Sequence, residues 1–301
     1  MTRSRVLVTG ASGFLGRRTV PMLARQDAVW AAVRTAGTEP PEATGVVADL
    51  APGWTARLPD VDTVVWLAQS RRYREFPGGA GDMFRVNEAA FFELLEWARA
   101  RGVGRVVYAS TGSVYAPGPA PWREESPTAA TTMYSATKLN AERLLAQYAG
   151  CFACVTARVF SVYGPGQQGM ALASVAGAAF AGRPVTLNDG IGMRCTPIFV
   201  DDAAAVFTEL ARMPLPASPL VVNVAGPEVV TLADVARVAA GLAGREPLIE
   251  RGAGQAPDVI ADTARLRAML PGLLFHDLAA GLAATLAGGP PATVVGANLQ
   301  E

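Results

Sequence analysis

A tyrosine and a lysine stand four residues apart in the segment Tyr134-Ser135-Ala136-Thr137-Lys138. Positions i and i+4 of a helix share one face, so a helix here would hold the phenol beside the ammonium. A neighbouring cation favours the phenolate and lowers the pKa of a tyrosine. Tyr134 is therefore a candidate acid/base for a hydroxyl proton that moves as hydride is transferred. Lys138 is the only lysine among 26 basic residues, and a guanidinium does not replace a compact ammonium.

Hydroxyl side chains follow a short apolar segment at 105–109. Ligands of open α/β sheets bind beyond the carboxyl ends of the strands, so Ser110 or Thr111 is a candidate to hydrogen-bond the reacting oxygen. Ser, Thr and Gly are also favoured in turns. Turn formation alone is the alternative interpretation of this segment.

Three glycines separate the first apolar strand from the first helical segment. Gly10, Gly13 and Gly16 have the spacing G-x-x-G-x-x-G. The first permits a tight turn, the second lets backbone approach a pyrophosphate at the helix N-terminus, and the third permits close helix–strand packing. Because strand, turn and helix follow in the required order, the pattern predicts a dinucleotide site.

The residue after the second strand indicates which nicotinamide cofactor is used. Dinucleotide-binding proteins that use NAD carry an acid there for the ribose hydroxyl, whereas this chain has Arg34, and its next acid is Glu39. We expect Arg34 to bind a 2′-phosphate, which favours NADP over NAD; a solvated charge at a strand end is the alternative. Asp49 and Leu50 follow the third strand, where Asp49 is placed to bond the adenine amino group or to cap the next helix.

Apolar segments alternate with helical ones along the first half of the chain. Strands that are apolar on both faces and separated by helices predict a doubly wound α/β fold with a parallel, Rossmann-type sheet. Frequent Gly and Pro after Tyr163 predict a smaller C-terminal substrate-binding lobe. We expect a dinucleotide-binding domain at 1–165 with later strands from 196–226, a lobe at 166–288 and a mobile tail at 289–301. Strands are predicted at 5–9, 28–33, 45–48, 63–67, 105–109, 153–159 and 220–224, and helices at 13–25, 82–101, 133–147, 231–241 and 277–286.

Composition excludes several classes of protein. Hydrophobic residues make up 50% of the chain, too many for a disordered protein, while apolar runs such as 170–181 are shorter than the roughly 20 residues of a spanning helix. The 26 basic and 26 acidic residues cancel, so neither nucleic acid nor a membrane is an expected partner.

No signal-peptide pattern precedes the first strand, and three cysteines are too few for a disulfide framework, so we expect a cytoplasmic protein. Cys151 and Cys154 are either a redox pair or two small core residues. The only histidine, His276, has no neighbouring ligand cluster, so no metal site is expected.

A series of short motifs extends over about residues 4–285: TGASGFLG at 9–16, ADL at 48–50, WLAQ at 66–69, VN at 86–87, YASTGSVY at 108–115, YSATK at 134–138, RVFSVYGPGQ at 158–167, MRCTPIFVDDAA at 193–204, VVNVAG at 221–226 and ADTARL at 261–266. With these motifs the chain resembles the extended short-chain dehydrogenases/reductases, the NAD(P)-dependent epimerase/dehydratase family that acts largely on nucleotide sugars.

The resemblance implies roles for individual residues. Tyr134 matches the catalytic acid/base, Lys138 the residue that lowers its pKa and holds the nicotinamide ribose, and Thr111 the active-site hydroxyl. Arg194 matches an arginine that contacts the substrate diphosphate in several members, and Arg251 is a looser match to a second one. The implied cofactor contacts are Gly10, Ser12, Gly13, Phe14, Leu15, Gly16, Arg34, Asp49, Leu50, Leu67, Ala68, Gln69, Asn87, Ala109, Ser110, Tyr134, Lys138, Val159 and Phe160, and the implied substrate contacts are Thr111, Ser113, Ser161, Arg194 and Arg251.

Two departures from the family pattern bear on the reaction. Sugar dehydratases that the chain resembles carry carboxylates after the active-site Thr, where this chain has Gly112 and Ser113, so we predict that it is not a 4,6-dehydratase. The Asn that often contacts the sugar nucleotide is Ser161 here.

The expected activity is that of an NAD(P)-dependent epimerase or reductase acting at a carbinol or ketone of a nucleotide-linked sugar. The alternatives are an NADP-dependent reductase of a non-nucleotide carbonyl compound and a regulatory protein that binds NADP without turnover. A homodimer formed through the segments 82–101 and 133–147 is also expected.

Overall fold

The computed structural model describes residues 3–287, so the tail predicted at 289–301 lies outside the described residues. The strands are β1 (Arg5–Thr9), β2 (Ala28–Val33), β3 (Thr44–Val47), β4 (Thr63–Trp66), β5 (Arg105–Thr111), β6 (Ala153–Val159), β7 (Val162–Tyr163), β8 (Val185–Asn188), β9 (Arg194–Cys195), β10 (Ile198–Phe199), β11 (Leu220–Val224), β12 (Val230–Thr231) and β13 (Ile249–Gly252). The helices are α1 (Gly16–Ala24), α2 (Ala80–Phe84), α3 (Ala90–Arg101), α4 (Met133–Gln147), α5 (Ala171–Phe180), α6 (Val200–Arg212), α7 (Leu232–Leu242), α8 (Ala264–Met269) and α9 (Leu278–Leu286). Within residues 3–287, no helix has the length and apolar character needed to span a bilayer.

Seven strands form one sheet in the order β11-β6-β5-β4-β1-β2-β3. The pairings that run from β3 to β6 are all parallel. Val6, Leu7 and Val8 of β1 are buried, as expected when helices cover both faces of a parallel sheet. The strand order reverses between β1 and β4, and open sheets of this kind bind ligands at that point. The predicted doubly wound Rossmann fold is confirmed.

The described chain divides into two compact units. The first contains residues 3–118, 124–159 and 204–223, and the second contains residues 119–123, 160–203 and 224–287. The first unit holds the seven-stranded sheet, with β11 counted through Asn223. The second holds short two-stranded pairings of β7 with β10, β9 with β12 and β8 with β13, beside α5, α7 and α9, which pack together.

Aromatic side chains fill the core of the first unit between the sheet and α3. Trp66, Phe91 and Tyr108 are fully buried. Ring centroids lie 5.0 Å apart for Trp66 and Phe91, and 4.5 Å apart for Phe91 and Tyr108. Buried rings at such separations stabilise a core by contact area and by ring–ring attraction. They fix β4, β5 and α3 against one another, and β4 and β5 lead into candidate site residues at their carboxyl ends.

The helix predicted over 82–101 is interrupted. A π-helical turn at Arg85–Ala89 separates α2 from α3, and single π-helical turns inside helices are frequent at functional sites. The first helix begins at Gly16, three residues later than predicted, because residues 10–15 form the glycine turn. The predicted bounds 133–147, 153–159 and 220–224 agree with α4, β6 and β11.

Candidate active site

The turn after β1 brings the ends of two strands into backbone contact. Gly10 has a φ of +66°, and a Cβ there would lie 2.8 Å from Ala68 N and from the carbonyl carbon of Leu67. Gly13 N donates to Gly10 O at 2.9 Å, and a Cβ at Gly16 would collide with the same oxygen. The turn therefore requires glycine, and it opens onto the N-terminus of α1, where free N–H groups attract phosphate.

The helix that carries the tyrosine and the lysine has a well-defined start. Thr132 and Ser135 form a capping box: Ser135 N donates to Thr132 Oγ1 at 3.1 Å, and Thr132 N donates to Ser135 Oγ at 2.9 Å. Such a cap contributes about 1 kcal/mol. Because α4 begins at Met133, Tyr134 and Lys138 lie one turn apart on the same face.

Lys138 is buried against the end of β5. It is 2% exposed, its Nζ donates to Ala109 O at 2.5 Å, and the same atom lies 4.5 Å from the ring centroid of Tyr108. Burial lowers the pKa of Lys138 to about 7, against the opposing charge of Glu142, which raises it. This amine therefore changes its charge near neutral pH.

Residues after β4 reach the phenol of Tyr134. Its OH lies 3.2 Å from Gln69 Oε1 and donates to it. The ring centroids of Tyr134 and Tyr73 are 5.2 Å apart, with an angle of 48° between the rings, and the guanidinium of Arg74 lies 5.2 Å from the Tyr73 centroid. Tyr134 therefore packs against the ring of Tyr73, and the guanidinium of Arg74 lies over that second ring.

Thr111 ends β5, two residues beyond the carbonyl that binds Lys138. Its Oγ1 accepts a hydrogen bond from Ser113 N at 3.2 Å and donates to Ser113 Oγ at 3.2 Å, and it caps the short turn Gly112–Val114. The turn chemistry that the sequence left open is therefore present. Thr111 is only half-buried, so its hydroxyl remains a candidate for contact with a substrate oxygen.

Ser110 belongs to a buried polar network. Its Oγ donates to Glu142 Oε1, and Arg158 binds both oxygens of Glu142, at 2.8 Å from Nη2 to Oε2 and 3.1 Å from Nε to Oε1. The side chains of Glu142 and Arg158 are each 7% exposed. A cofactor contact of Ser110 stays a prediction, since its hydroxyl is already bonded to Glu142.

Asn87 ties the segment after β4 to α4. Its Oδ1 accepts from Ser70 N at 2.9 Å, and its Nδ2 donates to Thr137 Oγ1 at 3.0 Å. Thr137 Oγ1 in turn donates to Tyr134 O at 2.9 Å. Asn87 is 1% exposed, so its observed role is to hold two segments of the site, and its cofactor contact stays a prediction.

The second and third strands end in exposed residues. Arg34 is exposed directly after β2. Asp49 is also exposed, and its Oδ1 accepts from Ala51 N at 3.0 Å. The next helical turn, Trp54–Arg57, has Gly53 as its N-cap and no side-chain cap bond, so Asp49 does not cap it, and its adenine contact stays a prediction. Leu50 has a φ of +59°. Other predicted cofactor residues of the first unit are half-buried, namely Ser12, Phe14, Leu15 and Val159.

Four predicted contacts lie in the second unit, namely Phe160, Ser161, Arg194 and Arg251. Both arginines are paired with acids there: Arg194 Nη1 lies 3.2 Å from Asp258 Oδ2, and Arg251 forms an ion pair with Asp189. Both pairs are substantially exposed, and exposed pairs of this kind are weak. A diphosphate would therefore compete for these guanidinium groups at small cost.

Cys151, Cys154 and Cys195 are all free thiols. His276 Nδ1 lies 2.7 Å from Asp202 Oδ1. In the part of the chain that the structure describes, no group of three or more His, Cys, Asp or Glu side chains is arranged to hold a metal ion.

Sequence reasoning missed Glu142, Arg158 and Tyr73. Glu142 follows Lys138 by the same four residues that separate Lys138 from Tyr134, so helical spacing was an available signal for it. Arg158 and Tyr73 meet the site only through tertiary contacts, for which the sequence holds no comparable pattern.

The residues around the glycine turn fit a nicotinamide dinucleotide. A Cβ at Gly13 would sit 3.0 Å from Gly10 O, so glycine lets the turn close tightly before the N-terminus of α1, where dinucleotide-binding folds hold a pyrophosphate. Lys138 and Tyr134 would hold the nicotinamide end, and Arg34 stands at the strand end where the adenosine ribose is read.

Comparisons with known proteins identify the family of the chain. The model of the NAD dependent epimerase/dehydratase family matches residues 6–225. A UDP-glucose 4-epimerase of Azospirillum brasilense is 28% identical, over 92% of this chain and 89% of that protein. The solved structure of MoeE5 in complex with UDP-glucuronic acid and NAD is 28% identical with a TM-score of 0.81, and covers 94% of this chain and 98% of its own. The UDP-glucose 4-epimerase of Thermus thermophilus, in complex with NAD, is 26% identical with a TM-score of 0.77, over 94% of this chain and 98% of its own.

Proposed function

Since this chain belongs to the NAD dependent epimerase/dehydratase family, we propose that it is an epimerase or reductase acting at the C4 carbinol or ketone of a nucleotide-linked sugar. It is an NAD(P)-dependent enzyme of the extended short-chain dehydrogenase/reductase type. UDP-sugar epimerases among its relatives favour epimerisation over net reduction. One observation carries the proposal: Tyr134 and Lys138 share a face of α4, and Lys138 is bonded to the strand end that carries Thr111.

Each of these side chains has a task in that reaction. Tyr134 takes the proton of the C4 hydroxyl and returns it after the ketone has presented its other face. Lys138 supplies the positive charge that stabilises the phenolate, and Thr111 hydrogen-bonds the reacting oxygen. A bound nicotinamide cofactor supplies the hydride acceptor and donor. In a reductase the same residues work in one direction only.

NADP is the proposed cofactor in preference to NAD. Arg34 is exposed at the end of β2, where a guanidinium can bind a 2′-phosphate with two parallel hydrogen bonds. The two relatives of solved structure described above are NAD complexes, so this preference rests on Arg34 alone.

Elimination of water is not part of the proposed reaction. A 4,6-dehydratase needs an acid and a base within hydrogen-bond reach of the sugar ring, and Gly112 and Ser113 supply neither. The candidate carboxylates that could reach the ring from elsewhere are Asp82, Glu124 and Glu125. Asp82 has one oxygen bonded to Ser70 and the other to Arg85 at 2.8 Å, so its carboxylate is already engaged. Glu124 Oε1 accepts from Asn223 N at 3.0 Å.

Substrate contacts at Ser113, Ser161, Arg194 and Arg251 remain proposals. So does a homodimer through α2, α3 and α4, which is supported by the exposure of Phe84 and Phe92 on the first two of these helices. The mass of the protein by light scattering, with Phe92→Glu for comparison, tests the dimer.

The activity test uses the purified protein with UDP-glucose, UDP-glucuronic acid and UDP-N-acetylglucosamine in turn. An epimerase yields the C4 epimer, identified by proton NMR because its mass is unchanged, without net change in nicotinamide absorbance. Oxidation of NADPH by a non-nucleotide carbonyl compound, with no epimer formed, would favour the reductase alternative. Cofactor binding without turnover of any substrate would favour the regulatory one.

A further inference from the structure

Glu142 extends the catalytic face of α4 by one more turn. Tyr134, Lys138 and Glu142 are spaced by four residues each, so all three lie along one face of the helix. Glu142 is buried, and its carboxylate accepts from Ser110 and binds Arg158. The ion pair is therefore sealed between α4 and the ends of β5 and β6.

This network holds the strand segment to which Lys138 is bonded. Ser110, which donates to Glu142, lies between Ala109, whose carbonyl binds Lys138, and Thr111. Arg158 is itself fixed, because its Nη1 donates to Glu124 O at 3.1 Å and its guanidinium lies 4.7 Å from the ring of Tyr115. The Glu142 carboxylate cannot swing away without breaking its bonds to Ser110 and to Arg158.

Burial disfavours an ammonium at Lys138, whereas a ring face and a carbonyl acceptor favour it. Its Nζ lies over an aromatic ring and has the Ala109 carbonyl as hydrogen-bond acceptor, and burial lowers the pKa of the amine while the Glu142 charge raises it. Titratable and charged groups face this region from each neighbouring element: Tyr134 and Glu142 from α4, Tyr108 from β5, Arg158 from β6 and Glu88 from the π-helical turn.

We infer that Glu142 is a positioning residue that keeps Lys138 protonated and aligned while Tyr134 transfers the proton. Arg158 is the counter-charge of Glu142. The catalytic side of this inference rests on the proposed function, whereas its electrostatic side does not. A buried carboxylate one helical turn from a buried amine favours the charged amine, and Arg158 prevents the carboxylate from becoming an unpaired buried charge.

The single lysine makes a direct test available. Protein labelled with ¹³C at lysine Cε gives one side-chain signal, whose pH titration reports the charge of Lys138 without cofactor or substrate. Glu142→Gln is expected to move the titration midpoint downward by about one pH unit, and Arg158→Met to move it upward. Glu142→Asp should retain most of the wild-type midpoint. Glu96→Gln, which breaks the exposed pair with Arg99, is the matched control and should leave the midpoint unchanged.

Midpoint shifts of opposite sign in Glu142→Gln and Arg158→Met distinguish an effect of the Glu142 charge from an effect of packing. If Glu142 had only a structural role, both variants would admit water and raise the midpoint toward that of a free lysine. An unchanged or raised midpoint in Glu142→Gln would therefore overturn the inference. Should a single variant fail to fold, the double variant Glu142→Gln/Arg158→Met removes the pair without leaving a buried charge, and its midpoint must fall below that of Arg158→Met. In activity assays, the decline of kcat at high pH should begin at lower pH in Glu142→Gln. A midpoint shift without any turnover of sugar nucleotides would refute the proposed function and leave the electrostatic inference intact.

Discussion

The substitution Lys138→Met measures how much the buried amine lowers the free energy of unfolding of the first unit. Methionine has a similar length and no charge, so the variant removes the titration while it keeps most of the volume. The lost hydrogen bond to Ala109 O changes stability by an amount that does not depend on pH. The pH-dependent part of the difference between variant and wild type therefore belongs to the amine.

Linkage gives the size and the sign of that part. The pKa of Lys138 is about 7 in the folded protein, against 10.5 for a free lysine. Between these values the unfolded chain binds more protons than the folded one, so wild-type stability rises with pH, by about 1.4 kcal/mol per pH unit at most. The penalty is largest at and below pH 7, at about 4 kcal/mol, and falls to about 2 kcal/mol at pH 9. The stability of Lys138→Met relative to wild type should therefore fall by about 2 kcal/mol from pH 7 to pH 9.

Urea unfolding followed by tryptophan fluorescence is a suitable assay. Four of the five tryptophans, Trp30, Trp54, Trp66 and Trp97, lie in the first unit, which also holds Lys138. The other ionisable groups are present in both proteins, so their contributions cancel in the difference. A difference in unfolding free energy that stays constant over this pH range would show that Lys138 keeps an ordinary pKa, and would refute the reasoning.

Three further changes follow from the site. Tyr134→Phe should lower kcat by about 10²–10⁴-fold, since only the proton carrier is lost, while cofactor affinity measured by calorimetry stays near the wild-type value; a rate near that of wild type would mean that another group moves the proton. Arg34→Ala should weaken NADP binding by about tenfold or more and leave NAD binding unchanged, and equal losses for both cofactors would contradict a phosphate contact. Gly16→Ala should lower the free energy of unfolding by about 1–3 kcal/mol because its methyl group meets backbone, whereas Gly81→Ala, which meets nothing within 4 Å, should be neutral or slightly stabilising; similar effects of both would argue against the close contact at Gly16.

Local patterns in the sequence predicted the parts of the molecule that depend on neighbouring residues. The parallel sheet follows from strands that are apolar on both faces, and the shared face of Tyr134 and Lys138 follows from helical periodicity alone. The glycine turn was predictable for the same reason, because Gly10, Gly13 and Gly16 lie in one short segment. These features need no knowledge of distant residues.

Features that join distant segments could not be predicted in this way. Ser110 and Glu142 are 32 residues apart in the chain, and Asn87 and Thr137 are 50 apart, so no helical or strand period connects them. The π-helical turn at Arg85–Ala89 also escaped prediction, because periodicity favours a continuous helix through this segment. Asn87 lies in that turn and is held there by its bonds to Ser70 and Thr137.

Because the only lysine of the chain is buried, the rate of its chemical modification reports how often the candidate site opens. Reagents that acylate amines find no lysine on the surface, since Lys138 is 2% exposed, and apart from the N-terminus they have no other amine to modify. With a pKa of about 7, this amine is nucleophilic at neutral pH and is protected only by the packing of α4 against β5. The rate at which it is acylated, divided by the rate for a free amine of the same pKa, gives the fraction of time that this packing is open, and its logarithm gives the free energy of local opening. Ligands that stabilise the packing of α4 against β5 would lower the acylation rate of Lys138, so their binding can be followed without any turnover.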